Sequence, residues 1–280
     1  MQTTTTPCKT TNKALDDAGK AVFDNIYDMP DPRRYFQVMA SLDYSIPEQA
    51  KPVFRDLFER YMQHTGQKTL QVLDLGSSYG INAALLKWDL SLQQLFDHYA
   101  DAKHNELSSS ALQTRDKVFF NDGVHHSGLR FIGFDISKSA LDYATKAGIL
   151  DLAVRANLEK NNPTPEQEAV IASTNCVISS GCIGYISEKT LLKIINVCAP
   201  RKPWMAHCIL RMFPIKPIED LLLSRGYRVS QHPQLVRQRR FASEEEQETV
   251  VRSLHEQGID TQGFESEGWQ YATVITAVPI

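Results

Sequence analysis

The chain predicts an α/β fold, a mostly parallel sheet wound with helices on both faces, and three observations carry that expectation. An apolar run at 71–75 empties into a glycine-bearing turn and a helix, within the stretch 71–82 that holds Asp74, Gly76, Ser78 and Gly80. A second apolar run, 129–135, ends in Asp135 and is followed by Ser137, a helix cap. Further short apolar runs at 154–159, 175–186 and 204–211 alternate with helical patterns. Short apolar runs bounded by turns are the mark of strands buried on both faces.

Taken in order, residues 1–12 are rich in Thr and polar and read as a tail, and 13–66 as a helical N-terminal region. Its first helix has Pro30 and Pro32 at the entry and apolar positions Phe36, Met39 and Leu42; the second follows Ile46-Pro47 and closes at Gly66. The first strand then opens the main domain, 67–280. Asp74 and Asp135 are 61 positions apart, where a strand-helix-strand unit needs roughly 20 to 25. The excess predicts a helical insertion at about 89–128, capped by Ser91. After a fifth strand at 204–211, a helix starts near Pro214 and ends at Gly226. Last strands are expected at 227–229 and 270–277, joined by a long connection with a helix at about 243–257.

At 280 residues and 42% hydrophobic, the chain can bury a full core as one large domain with extensions. A formal net charge of -3 and a pI near 6.2 offer no global attraction for nucleic acid or an anionic membrane, which leaves a small molecule as the expected partner. Five cysteines (8, 176, 182, 198 and 208) lack metal-ligand spacing and read as reduced thiols of a cytoplasmic protein. No apolar run approaches the roughly 18 residues of a membrane span. His125 and His126 are adjacent, hence poorly placed to share a metal ion, and none is expected.

The turn at 76–80 suits a nucleotide cofactor, because a residue without a Cβ lets backbone approach a ligand. Ser78 stands where a dinucleotide fingerprint would carry glycine, so that fingerprint fits poorly. The pattern instead resembles the first motif of class I S-adenosylmethionine-dependent methyltransferases, and the strand ending in Asp135 resembles their second. Residues 154–159 resemble the third strand and its turn, and 175–186 the fourth strand and its loop, so the likeness spans roughly 69–212.

That resemblance implies a seven-stranded sheet of order 3-2-1-4-5-7-6 with the last strand antiparallel, and S-adenosyl-L-methionine as cofactor. It implies that Asp135 accepts the ribose hydroxyls and that Asn157 stands at the adenine edge, with Ile136 and Leu158 beside them. Asp74, Gly76, Ser78 and Gly80 would complete the cofactor half with Ser179 and Ser180. The N-terminal helices would form a lid, with Tyr27 over the methionine end of the cofactor and Tyr35 toward the acceptor, or would simply cover the sheet.

On the acceptor side, Tyr185 reads as a substrate contact or as packing, and His207 as a weak candidate base or a satisfied core histidine. Arg211 reads as an anchor for a carboxylate-bearing substrate or as half of a salt bridge. Arg237, Arg239 and Arg240 form the one basic cluster, either a solvated loop or the mouth of an anionic acceptor site. The insertion suits packing or a homodimer contact as well as substrate contact. The expected activity is methyl transfer to an O or N of a small molecule. An RNA or protein methyltransferase and a silent cofactor-binding scaffold are the alternatives; the loop at 179–182 lacks the Asn/Asp-Pro-Pro-Tyr/Phe motif of enzymes acting on planar amino groups.

Overall fold

The computed structural model describes residues 15, 24–122, 126 and 128–280; the expected tail at 1–12, Cys8 and His125 lie outside the described residues. The chain enters through α1 (Asp24–Tyr27), α2 (Arg33–Ser41) and α3 (Ile46–Thr65). Helix α3 carries Pro47 in its first turn, where a missing N–H is harmless, and stops at Gly66, whose φ of 69° is left-handed. Strand β1 (Leu70–Leu75) leads into α4 (Ile81–Lys87), and the insertion follows as α5 (Leu92–Ala100), α6 (Ala102–Asn105) and α7 (Ser109–Asp122). Ser91 and Gln94 close a capping box at the start of α5.

Then come β2 (Leu129–Asp135), α8 (Lys138–Lys146), β3 (Leu152–Arg155), α9 (Pro165–Ile171), β4 (Cys176–Ile183), α10 (Glu188–Cys198) and β5 (Trp204–Leu210). The chain ends through α11 (Lys216–Ser224), β6 (Tyr227–Gln231), β7 (Val236–Arg240), α12 (Glu244–Glu256), a short 3-10 turn (Glu265–Glu267) and β8 (Trp269–Pro279).

Among the described residues eight strands form one sheet of order β3-β2-β1-β4-β5-β8-β6, with β7 also paired to β8. The first five are parallel to one another and β8 runs antiparallel to β5. This is the order expected, with one correction: the seventh position holds two strands. β6 pairs with β8 from Ile275 to Pro279 and β7 pairs from Trp269 to Ala272, so both lie along one edge of β8. Pro233 falls between them and has no N–H to donate to a ladder, which breaks one long edge strand into two. The connection expected after residue 231 therefore begins as sheet.

Successive strand side chains face opposite layers. Val72 and Phe131 point to one core, shared with α2 to α5, α7, α8 and α12, while Leu73 and Ile132 point to the other, shared with α9 to α11. The insertion is tied down by Asp116, which is fully buried and accepts hydrogen bonds from the hydroxyls of Tyr99 and Tyr143, both at 2.7 Å, and contacts His98 Nε2 at 2.8 Å. One carboxylate thereby joins α7 to α5 and α8. Phe36 of α2 stacks on Tyr99 at 4.4 Å between centroids, so the insertion also supports α2.

The N-terminal helices are held over the carboxyl ends of the strands by polar contacts. Tyr79 donates its hydroxyl hydrogen to the carbonyl of Met29 at 2.9 Å, and Ser137 donates to Asp28 at 2.9 Å. The turn between α2 and α3 extends the β7 edge: Ser45 N donates to the Gln238 carbonyl at 2.8 Å and Arg240 N to the Leu42 carbonyl at 2.7 Å. A polar strand with few apolar side chains is thus pinned between β8 and the α2–α3 turn. Among the described residues no helix is long and apolar enough to cross a membrane.

Candidate active site

The turn after β1 holds three residues in left-handed backbone: Gly76 (φ 67°), Ser78 (φ 48°) and Gly80 (φ 80°). Gly76 N donates to the Phe134 carbonyl at 2.8 Å, which stitches this turn to the end of β2. Asp135 completes the junction, one oxygen accepting from Ser78 N at 2.8 Å and the other from Ser137 N at 2.9 Å. Each carboxylate oxygen has a further lone pair, so a ligand can still donate to both. Burial raises the Asp135 pKa, and the backbone amides oppose that rise.

The two glycines are bare for reasons other than ligand approach. A Cβ on Gly76 would lie 2.6 Å from the Cβ of Cys182, and one on Gly80 would lie 2.7 Å from Ile149. Gly76 still lines the cavity described below, whereas Gly80 does not. Its place among cofactor contacts is corrected: it lets α4 start against the turn before β3.

Asp74 is fully buried and accepts from Asn82 Nδ2 at 2.9 Å; the same amide donates to Ser180 Oγ at 3.0 Å. Burial pushes the Asp74 carboxyl up to about 7, with the Asn82 bond acting against that rise and the Asp135 charge adding to it. In the unfolded chain the group titrates at its ordinary 3.8, so between these values the native state holds the extra proton. Stability must therefore fall as pH rises through that window. Asp74→Asn removes the proton linkage. Its unfolding free energy relative to wild type is expected to improve by about 2–3 kcal/mol between pH 5 and pH 8, from 1.36 kcal/mol per pKa unit. Urea unfolding at the two pH values reads this directly, and an unchanged difference would contradict a neutral Asp74. Asp74 does not itself line the cavity; it holds Asn82, which does.

The cavity runs along the carboxyl ends of β3, β2, β1 and β4 and has a volume of about 700 Å³. This is where open parallel sheets bind ligands. Of the predicted residues, Gly76, Ser78, Asp135 and Ile136 line it, as do Asn157, Leu158 and Ser180. Tyr27 and Tyr35 line it from the N-terminal helices and Tyr185 from the loop after β4.

Besides Asp74 and Gly80, three further predicted residues stand elsewhere. Ser179 is buried, and its Oγ shares a 2.9 Å hydrogen bond with His207 Nδ1 inside the sheet. His207 is fully buried and its pKa is driven down to about 4 by burial, which keeps the ring neutral and away from the cavity. As a catalytic base it is therefore corrected to a core residue. Arg211 donates to Glu265 at 2.7 Å and to the Asp260 carbonyl at 2.6 Å, outside the cavity. The salt-bridge reading replaces the anchor.

The arginine cluster is no solvated loop, because β7 separates its members. Arg237 donates to Tyr271 at 3.1 Å, and Arg240 pairs with Asp43 at 2.7 Å. Arg239 is buried, lines the cavity and forms a two-pronged pair with Glu246 at 2.7 and 3.0 Å. Beside it Gln238 also lines the cavity, a residue the sequence reading did not single out. Asn82, Met39 and Tyr44 were missed in the same way, while Asp28 lies in the aromatic-acidic pair Tyr27-Asp28 that the resemblance covers. Asn82 left a signal, as a polar residue within the apolar pattern at 81–86.

Buried polar atoms without a partner gather here: Ser77 Oγ, Ser78 Oγ, Asn82 Oδ1 and Gln238 Oε1 all belong to residues lining the cavity, and Asp74 Oδ2 lies behind Asn82. Such atoms cost free energy unless something pairs with them, so their concentration suits a polar ligand. Among the described residues no group of three or more His, Cys, Asp or Glu could hold a metal ion.

No family model matches the chain, and no curated protein matches it. Among solved structures it is similar to magnesium protoporphyrin IX methyltransferase from Synechocystis PCC 6803 with bound SAM, at 12% identity and a TM-score of 0.44, covering 96% of this chain and 100% of that one. It is also similar to a SAM dependent methyltransferase from Aquifex aeolicus (13% identity, TM-score 0.40, 92% and 100% covered). The [4+2]-cyclase SpnF is a third likeness (10% identity, TM-score 0.40, 80% of each chain). Likenesses at this level concern the course of the chain alone, and a shared course does not fix a reaction.

Proposed function

We propose that the cavity binds S-adenosyl-L-methionine and that the protein is a methyltransferase acting on an O or N of a small molecule. The observation that carries this reading is Asp135, a carboxylate at the end of β2 whose two oxygens are aimed by the amides of Ser78 and Ser137 into the cavity wall. A vicinal diol matches such an acceptor pair. Ile136, at 65% exposure, and Leu158 supply apolar surface for the adenine, with Asn157 at its edge. Ser77, Ser78 and Asn82 offer unpartnered polar atoms toward the amino-acid end, under Tyr27 of the lid.

When bound, the cofactor supplies an electrophilic methyl group on a sulfonium. The chain's part is to hold the acceptor in line with that methyl and keep water out, and such positioning is worth several kcal/mol. In this reading Ser180, Gly181 and Tyr185, at and just past the β4 end, divide the cofactor half from the half walled by Tyr35, Tyr44 and β7; all of them line the one cavity. Tyr185 is the acceptor-side residue in this arrangement. The β7 wall presents no uncompensated cation, because Glu246 neutralises Arg239, and this favours an uncharged acceptor over a carboxylate.

Calorimetric titration with S-adenosylhomocysteine, NAD and ATP tests the cofactor assignment. Binding of S-adenosylhomocysteine alone is expected; binding of NAD or ATP in its place would overturn the reading. A labelled methyl donor then reports turnover against a panel of phenols, enols, lactams and amines.

A further inference from the structure

Gln238 is 4% exposed, sits on the cavity wall, and its buried side-chain oxygen Oε1 has no hydrogen-bond partner. Its backbone is fixed, the carbonyl accepting from Ser45 N at 2.8 Å, so the side chain is delivered from a pinned strand. The amide end lies against Gly181: a Cβ there would come within 3.0 Å of Gln238 Nε2. Gly181 therefore leaves the amide room at the boundary between the two halves of the cavity.

A buried amide oxygen with no partner is costly, and the group it belongs to carries both an acceptor and a donor. A half turn about its last torsion exchanges them, so either can face the cavity. The same cavity is lined by Tyr35 and Tyr44, whose rings meet edge to face at 6.4 Å, and by Met39, and the neighbouring Arg239 is neutralised by Glu246. Aromatic lining suits a planar ring, and an amide on the same lining suits a ring edge carrying a donor next to an acceptor.

We propose that Gln238 determines acceptor choice, pairing its side-chain amide with a neutral planar molecule that bears adjacent N–H (or O–H) and C=O groups, a cyclic amide or its enol tautomer. This rests on the methyltransferase reading only in calling that molecule the methyl acceptor; the recognition itself is a property of the cavity.

The test uses the full chain, with and without S-adenosylhomocysteine, and two probes: 2-quinolone, which carries the donor-acceptor edge, and 1-methyl-2-quinolone, whose donor is blocked. The native protein is expected to bind 2-quinolone about tenfold more tightly, since a site built for a polar group discriminates against its loss. Gln238→Leu and the unbranched Gln238→Met are each expected to shrink that preference to about twofold or less while the S-adenosylhomocysteine Kd stays within about twofold. Using both guards against one variant failing to fold, with melting temperature as the check. Equal binding of the two probes by the native protein, or a preference kept by the folded variants, overturns the proposal. If S-adenosylhomocysteine fails to bind, the cofactor reading falls, and the probes in the cofactor-free protein still judge Gln238.

Discussion

Glu246→Ala is expected to destabilise the protein by about 3–5 kcal/mol, the cost typical of stripping one partner from a buried ion pair. Glu246 is fully buried and Arg239 is 2% exposed, so truncation leaves a nearly buried guanidinium without its counter-charge. The carboxylate also accepts from Ala242 N at 2.7 Å and Gln270 Nε2 at 3.0 Å. One side chain therefore ties β7, β8 and the start of α12 together. Urea unfolding measures the loss, and a change below about 1 kcal/mol would mean that the pair is solvated in solution. Replacing both partners, Arg239→Met with Glu246→Leu, is expected to recover most of it, because two apolar residues leave no stranded charge. Recovery by the double variant separates charge burial from lost packing.

Asp135→Ala is expected to weaken S-adenosylhomocysteine binding by about 2–3 kcal/mol, roughly 30- to 150-fold. The loss has two sources. The diol would lose its acceptors, and Ser78 N and Ser137 N would lose the carboxylate that holds their turns in register. Asp135→Asn should be nearly as damaging. Both oxygens accept from backbone N–H groups, so the amide nitrogen of asparagine must face a donor whichever way it turns. Calorimetry on both variants decides the matter: an affinity within about threefold of native for either would reject the ribose assignment.

The parallel half of the sheet was readable because its cues are local. Apolar runs of strand length ending in Asp74 and Asp135, left-handed backbone at glycines, and caps at Ser91, Ser137 and Ser243 depend on a few neighbouring residues. β7 carried no such cue. Val-Arg-Gln-Arg-Arg is a poor strand by composition, and it is extended because β8 and residues 42–45 satisfy its backbone.

Side-chain partners were harder still. His207 and Arg211 were placed on the right strand or just past it, yet their roles were set by Ser179, which β4 brings alongside, and by Glu265, which lies 54 residues away. Gln238 and Arg239 reached the cavity from an element whose existence the pattern did not reveal.

By itself the sequence determined the parallel strands, their turns and the acid at the end of β2, because turn and cap conformations and the apolar runs between them are written in residues adjacent in the chain. Tertiary structure alone decided which charges are spent on each other and which polar groups are left facing the cavity. Those outcomes depend on distances between segments far apart in sequence, and burial multiplies the strength of every pairing, or failure to pair, that results.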